Sequence, residues 1–390
     1  MNYILYDSEV RDNLLPLTYT RPVADLRIGI LTIREKWEKL LQATTSTKTE
    51  EYLSEKFPLE QKEKNIFINA SFLPSENLAR MVSNLKENQA IFFKETPIAY
   101  FYTPNQKVDF STFDVISYSH TDVIQITQVY DLFSLNEEAL KRDFAFLTKN
   151  RKSQPIPDHV FTVNDDNIFI EEGATLLNCS LNASDGPIYI GADTTVMEGV
   201  HIRGAFALCE HAMVKMGAKI YGATTIGPHS RVGGEVTNSV FIGYSNKGHD
   251  GFLGNSVLGE WCNIGADSNN SNLKNNYASV RLWNYPAGRF LDTQLQFCGL
   301  IMGDHSKCGI NTMFNTGTVV GVSANIYGSG FPRNFIPSFS WGGASGVTTY
   351  KIDKVFEVAD VVMKRRNVSL EEVDKKILNT VFELTKSYRG

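Results

Sequence analysis

The residues best suited to chemistry lie between 245 and 274, in the run SNKGHDGFLGNSVLGEWCNIGADSNNSNLK. His249 stands there in a Gly-His-Asp-Gly corner, and an Asn-rich run follows it. An imidazole titrates near neutral pH and suits removal of a proton from a weak nucleophile. A plainer reading stays open beside it. A lone His at a polar corner often only decorates a surface, and Asn recurs at corners because it tolerates left-handed turn geometry. His120, His159, His201, His211, His229 and His305 show no ligand spacing and read as structural or surface residues. Cys179, Cys209, Cys262, Cys298 and Cys308 are odd in number and lack a C-x-x-C pair, which argues against a disulfide framework and a zinc site.

The elements that must carry this corner announce themselves by period. Ile190, Val196, Ile202, Leu208, Val214, Ile220, Ile226 and Val232 step by six, eight times running. In a chain that is 42% apolar, a fixed frame would do this by chance about once in a thousand. Free choice of frame weakens that figure, and a second tract restores it: Met302, Cys308, Phe314, Val320 and Ile326. Six is neither the helical nor the simple strand period. Short strands joined by tight corners explain it, with one apolar side chain per face pointing inward: a parallel β-helix. The candidate run keeps two of these steps, Leu258-Gly259 and Ile264-Gly265, so the corner stays on the coil.

Residues 1–155 mix short apolar runs (Tyr3 to Tyr6, Ile66 to Ile68, Ala90 to Phe93, Ile98 to Tyr102) with helical patterns, one opened by a Thr32-x-x-Glu35 capping box. That alternation predicts an α/β domain, with a polar linker around Lys149 to Pro157. Residues 156–346 form the β-helix, and 347–390 read as helices with an apolar face at Val355, Ala359, Val362 and Met363. A second capping box is expected at Ser369-x-x-Glu372. Lys364-Arg365-Arg366 reads first as a solvated helix end. These helices are expected to cover an open end of the coil or a neighbouring subunit.

The formal charge of −5 offers no general attraction to nucleic acid or to an anionic membrane, so any anionic ligand must be met by local basic residues. The opening residues lack a basic n-region and no stretch approaches the ~20 apolar residues of a membrane span. A cytoplasmic protein is the expectation.

The run from Ser245 resembles the acetyltransferase half of the bifunctional uridylyltransferase/glucosamine-1-phosphate acetyltransferase family. That family reads Ser-Lys-Ala-Gly-His-x-x-Tyr-Leu-Gly-Asp-x-x-Ile-Gly, then Val-Asn-Ile-Gly-Ala-Gly, then an Asn. This chain keeps the spacing without a gap through Gly248-His249, Leu253-Gly254, Leu258-Gly259, Asn263-Ile264-Gly265-Ala266 and Asn272. The resemblance implies a left-handed coil, with His249 as general base and Asn272 beside the amino sugar. It also implies Asn263 in the pocket, and Gly265 and Ala266 against the acetyl group of acetyl-CoA. Phe252 stands where the family has Tyr, Leu273 replaces another Tyr, and Asn238 stands where a Lys is common. Lys247 is the shifted family lysine, which the resemblance implies as a contact for the substrate's phosphate. Arg231, 18 residues before His249, is expected one coil away as a substitute phosphate contact. Residues 275–298, with Arg281 and Arg289, are an insertion that could close over the site.

Residues 14–29, LLPLTYTRPVADLRIG, resemble the opening of sugar-1-phosphate nucleotidylyltransferases. The match holds at Pro16-Leu17-Thr18, Thr20-Arg21-Pro22, Leu26 and Gly29. The family's glycine turn is replaced by Asp7 to Asn13, its lysine by Val23, and its metal-binding Asp by the stretch Ile68 to Pro74. Either Arg11, Arg21 and Arg27 supply phosphate contacts in an altered site, with Asp7 or Asp25 as a Mg²⁺ ligand, or the domain is a relic. Together the resemblances imply a divergent trimeric enzyme of UDP-N-acetylglucosamine synthesis. It would use acetyl-CoA and glucosamine-1-phosphate, with UTP and Mg²⁺ if the first domain is active. One rival is a sugar-1-phosphate nucleotidylyltransferase whose coil only assembles the oligomer; another is a non-catalytic scaffold.

Overall fold

The computed structural model describes residues 1–104 and 108–389. Contacts divide it into two compact units. The first holds Met1–Leu14, Thr18–Leu26 and Leu31–Gln128; the second holds Leu15–Leu17, Arg27–Ile30 and everything from Val129 onward.

The first unit is a mixed, Rossmann-like sheet of six strands in the order Thr45–Lys48, Asn2–Tyr6, Asn65–Asn69, Thr96–Tyr102, Gln89–Phe93, Asp114–Ser117. Thr96–Tyr102 runs antiparallel to both neighbours, while the other pairs are parallel. Each of the four apolar runs expected as strands is one. Helix α1 (Ile33–Leu41) starts at the expected capping box, with Thr32 and Glu35 bonding reciprocally, and α2 (Glu76–Ser83) is capped by Ser75. Where a glycine turn would cradle phosphates, Glu9–Leu14 winds into a 3₁₀ helix.

In the second unit, α3 (Asp131–Ser134) and α4 (Asn136–Thr148) precede the coil. The contact boundary therefore lies at 128/129, well before the linker near 155. The cause is polar and buried. Asn136 Nδ2 donates to Ala223 O (3.0 Å), its Oδ1 accepts from Gly29 N–H (2.7 Å), and Asp143 accepts from Ile30 N–H (2.7 Å).

The coil is a parallel β-helix with three faces. The first carries nine strands from Ile168–Ile170 to Phe335–Ile336, the second ten from Thr175–Leu176, and the third six from Phe161–Val163 to Phe252–Gly254. Inward residues stack in columns, as Ile190↔Leu208↔Ile226 on the first face and Val196↔Val214↔Val232 on the second. All eight residues of the first six-step tract are at most 2% exposed, each burial worth roughly 1.5–3 kcal/mol. The period then shortens. Val232 pairs with Lys247, 15 residues on, so Arg231 lies beside Asn246 and not one coil below His249.

Two helices follow the coil, α5 (Ile352–Lys364) and α6 (Glu372–Leu384). The capping box of α6 is Glu371 with Asp374, two residues later than expected, because the helix begins at Glu372. Phe382 of α6 meets Phe339 of the last coil at 5.1 Å, and Arg389 lies over both rings, so α6 packs against the last coil.

Candidate functional site

His249 is exposed at the corner that follows the Asn246–Lys247 strand. It lines an open cleft of about 630 Å³ with Lys215, Met216, Gly233, Asp250 and Ala266. Among the described residues its imidazole has no hydrogen-bond partner, which leaves both ring nitrogens to a ligand. The backbone beneath is tightly seated. Gly234 has φ +70°, and a Cβ there would stand 2.8 Å from Asp250 Cα and 2.9 Å from His249 O. Gly251 has φ +115°, and its Cβ would strike Ser268 O at 2.1 Å. Only glycine permits so close an approach of coil to coil.

Lys247, expected as a substrate contact, points inward instead. It stands in the inward column of the second face, paired with Val232, and is 1% exposed. Its Nζ donates to Gly233 O and His249 O, both at 2.9 Å, so it braces the corner from inside. Burial pushes its ammonium down to about 8, against smaller opposing effects of Asp250 and Cys308. Gly265 is also spent internally: its N–H donates to Cys308 O (3.1 Å), and a Cβ would strike Gly309. Ala266 lines the cleft, and its N–H has no acceptor among the described residues.

The remaining expected residues fall elsewhere. Asn263 and Arg231 share a second cleft, on the second face, where Asn246 Nδ2 donates to Asn263 Oδ1 (2.8 Å). Phe252 and Asn272 lie over Gly254 on the third face, and Asn272 donates to Asn255 (2.8 Å). The insertion forms an antiparallel hairpin, Arg281–Asn284 with Arg289–Asp292, whose Trp283 stacks on Phe335 at 4.1 Å. It lines a third cleft with Lys274 and Arg333, not the one at His249.

In the first unit the expected phosphate and metal contacts are occupied by the protein itself. Arg11 donates to Thr18 O and Tyr52 Oη, both at 2.8 Å. Arg21 is buried. Arg27 belongs to the second unit, where it donates to Ile242 O (3.1 Å) and Ile30 O. Asp25 is held by both ends of the Arg34 fork (2.7 and 2.9 Å). Asp7 accepts from Val23 N–H (2.9 Å) and Thr49 Oγ1 (2.6 Å), and burial still raises its pKa to about 6. Asn69, at the expected position of a metal-binding Asp, bonds Ser71 and Pro97. No group of three or more His, Cys, Asp or Glu side chains that could hold a metal ion exists among the described residues.

Sequence reasoning missed a ring column. His211, His229, Tyr244, Trp261 and His305 occupy successive coils at one corner, all with φ between +54° and +61°. Their rings stack at 4.7, 4.7, 4.3 and 6.3 Å. A faint signal exists in the recurring Gly-x-ring pattern of GPHS, GEWC and GDHS. The five cysteines are free and buried. No helix among the described residues is long and apolar enough to cross a membrane.

Residues 3–152 match the family described as sugar nucleotidyl transferase, which is less than half of the chain. No curated protein matches the chain. Among solved structures it is similar to the UDP-N-acetylglucosamine acyltransferase of Arabidopsis, at 15% identity and a TM-score of 0.24, covering 60% of this chain and 91% of that one. The coil is accordingly defined by its own strand registers. The family match, for its part, ends before the first strand of the coil and leaves the His249 corner to be read from its geometry.

Proposed function

We propose that the protein is a transferase whose coil moves an acetyl group from acetyl-CoA to the amine of an amino-sugar phosphate such as glucosamine-1-phosphate. The observation that carries this reading is an exposed imidazole without a partner among the described residues, sharing one cleft with Ala266, whose N–H likewise finds no acceptor among them. The neutral amine attacks the thioester carbon while His249 accepts its proton. The carbonyl oxygen becomes an oxyanion, which the Ala266 N–H can stabilise. Collapse breaks the carbon–sulfur bond, and the departing thiolate takes the proton from the imidazolium. Assembly as a trimer, with Asn272 and Phe252 reaching a neighbour's cleft, is part of the proposal, as is a cytoplasmic location.

The family match of residues 3–152 favours a second reading, nucleotidyl transfer to a sugar-1-phosphate in that unit. Against it stand the 3₁₀ helix in place of a phosphate cradle and the paired Asp25. Released thiol separates the two readings. With acetyl-CoA and glucosamine-1-phosphate, the wild-type protein should free CoA, and His249→Ala should lower kcat by ~10²–10⁴. Pyrophosphate release from UTP and a sugar phosphate, with no thiol formed, would replace the first reading by the second.

A further inference from the structure

The second cleft, about 350 Å³, gathers four cationic side chains. Arg231 and Lys307 project outward from the second face, at the two ends of the register Arg231↔Asn246↔Asn263↔Lys307. Arg365 and Arg366 reach the same cleft from the end of α5. Among the described residues no carboxylate lines it. Glu210 and Glu260 lie near enough to act on His229 and Tyr244 of the ring column, but neither forms a wall of the cleft.

Cations at a helix C-terminus have an ordinary explanation in the helix dipole. Lys364 fits it: this lysine faces solvent and pairs with Asp360 at 2.6 Å. The dipole does not explain why Arg231 and Lys307, on the coil, face the same space. Like charges brought together and partly desolvated are costly unless an anion joins them. The cost is visible here. Burial lowers the pKa of Arg366, and Arg231 and Arg365 lower it further. Burial alone lowers that of Lys307 to about 8, while its Nζ donates to His305 O at 2.9 Å. In a protein of net charge −5 this is a local, unbalanced positive site.

We propose that this cleft binds a phosphomonoester dianion, gripped by Arg231, Arg365 and Arg366, with Lys307 at its far end. Forked guanidinium donors from two elements match the oxygens of a phosphate, and the Asn246–Asn263 pair supplies polar floor between the charged ends. The proposal adds a second ligand site from this chain's own helix and coil, and it holds whether or not His249 transfers an acyl group.

Direct binding tests it without turnover. Isothermal titration of the intact protein with inorganic phosphate, glucosamine-1-phosphate, CoA and dephospho-CoA should show saturable binding of at least one phosphomonoester. Arg366→Ala should raise its Kd at least about tenfold, the usual loss for a charge-assisted hydrogen bond. Arg365→Ala/Arg366→Ala should raise it further, and Lys364→Ala should leave it unchanged. Glucosamine-1-phosphate binding above phosphate, with CoA equal to dephospho-CoA, assigns the site to a sugar phosphate. CoA binding above dephospho-CoA assigns it to the 3′-phosphate of the nucleotide. No saturable binding to folded wild type, or a double variant within twofold of wild type, overturns the proposal. Circular dichroism of each variant separates lost binding from lost folding.

Discussion

Lys247 shows how one residue can be both a burden and a brace. Its ammonium sits in a column that continues below it through Val232, Val214 and Val196, and two carbonyls hold it there. Folding lowers its pKa from 10.5 to about 8, chiefly by desolvation. Between those values the unfolded chain binds more protons than the folded one, so stability rises with pH across the window. Below about 8 both states are protonated and the cost, on the order of a few kcal/mol, is fully present. Lys307 carries a similar shift, so only part of the slope belongs to Lys247. Lys247→Met should therefore flatten the pH dependence of denaturant stability between pH 8 and 10.5 without losing stability at pH 7. It should also lower kcat at His249, since the corner loses its internal support. An unchanged slope would remove the buried ammonium from the account. The sequence showed the lysine but not its direction. A single shortened coil turns it from the outer to the inner column, and nothing local signals that three-residue loss.

The corners make the same point for elements. The six-residue period was legible because inward side chains must be apolar and must recur, so Ile190 to Val232 located the strands. The shape of the corners was legible only where Asn marks left-handed backbone, as at Asn238 and Asn255. The same conformation at His229, Tyr244 and Trp261 was not legible. Bulky L-residues disfavour it by roughly 1–2 kcal/mol each, and no local rule recommends them there. Stacking along the column offsets that strain, at about 0.5–1.5 kcal/mol per ring pair beyond burial. The balance should differ along its length. Trp261 is 6% exposed and has a ring on either side, so Trp261→Ala should cost ~3–5 kcal/mol in urea unfolding. His211 is exposed at the end of the column with a single stacked neighbour. There His211→Gly exchanges one ring contact and an exposed 3.8 Å approach to Asp193 for relief of strain, and should shift stability by less than ~1 kcal/mol. Equal losses at both positions would mean that stacking does not hold the column together.

At the scale of the molecule, the chain's order and its compact units do not coincide. The segment resembling a nucleotidylyltransferase signature was legible as residues, yet part of it serves the other unit. Arg27 to Ile30 lie in the unit of the coil, where Arg27 donates to Ile242 O and Gly29 O accepts from Thr225 Oγ1 (2.9 Å). Gly29 is required there: with φ +71°, a Cβ would stand 2.5 Å from Asp143 and 2.9 Å from Ala139. A signature that sequence assigns to phosphate chemistry is, in these residues, a structural strap. The coil unit should consequently be incomplete when cut from the N-terminal residues. A fragment 129–390 keeps α4 but leaves the Asn136 and Asp143 acceptors and the Ile242 carbonyl without the donors they meet in the full chain. Each such group costs about 1–3 kcal/mol when left buried and unpaired, and less where water reaches it. The fragment should unfold at a lower temperature than the coil unit of the intact protein, as followed by the fluorescence of Trp261, Trp283 and Trp341, all in that unit. Arg27→Ala in the full chain should reproduce part of the loss, about 1–3 kcal/mol. If the fragment melts with the intact coil unit and Arg27→Ala is silent, the strap contributes nothing, and residues 27–30 regain a claim to the ligand role that their sequence suggested.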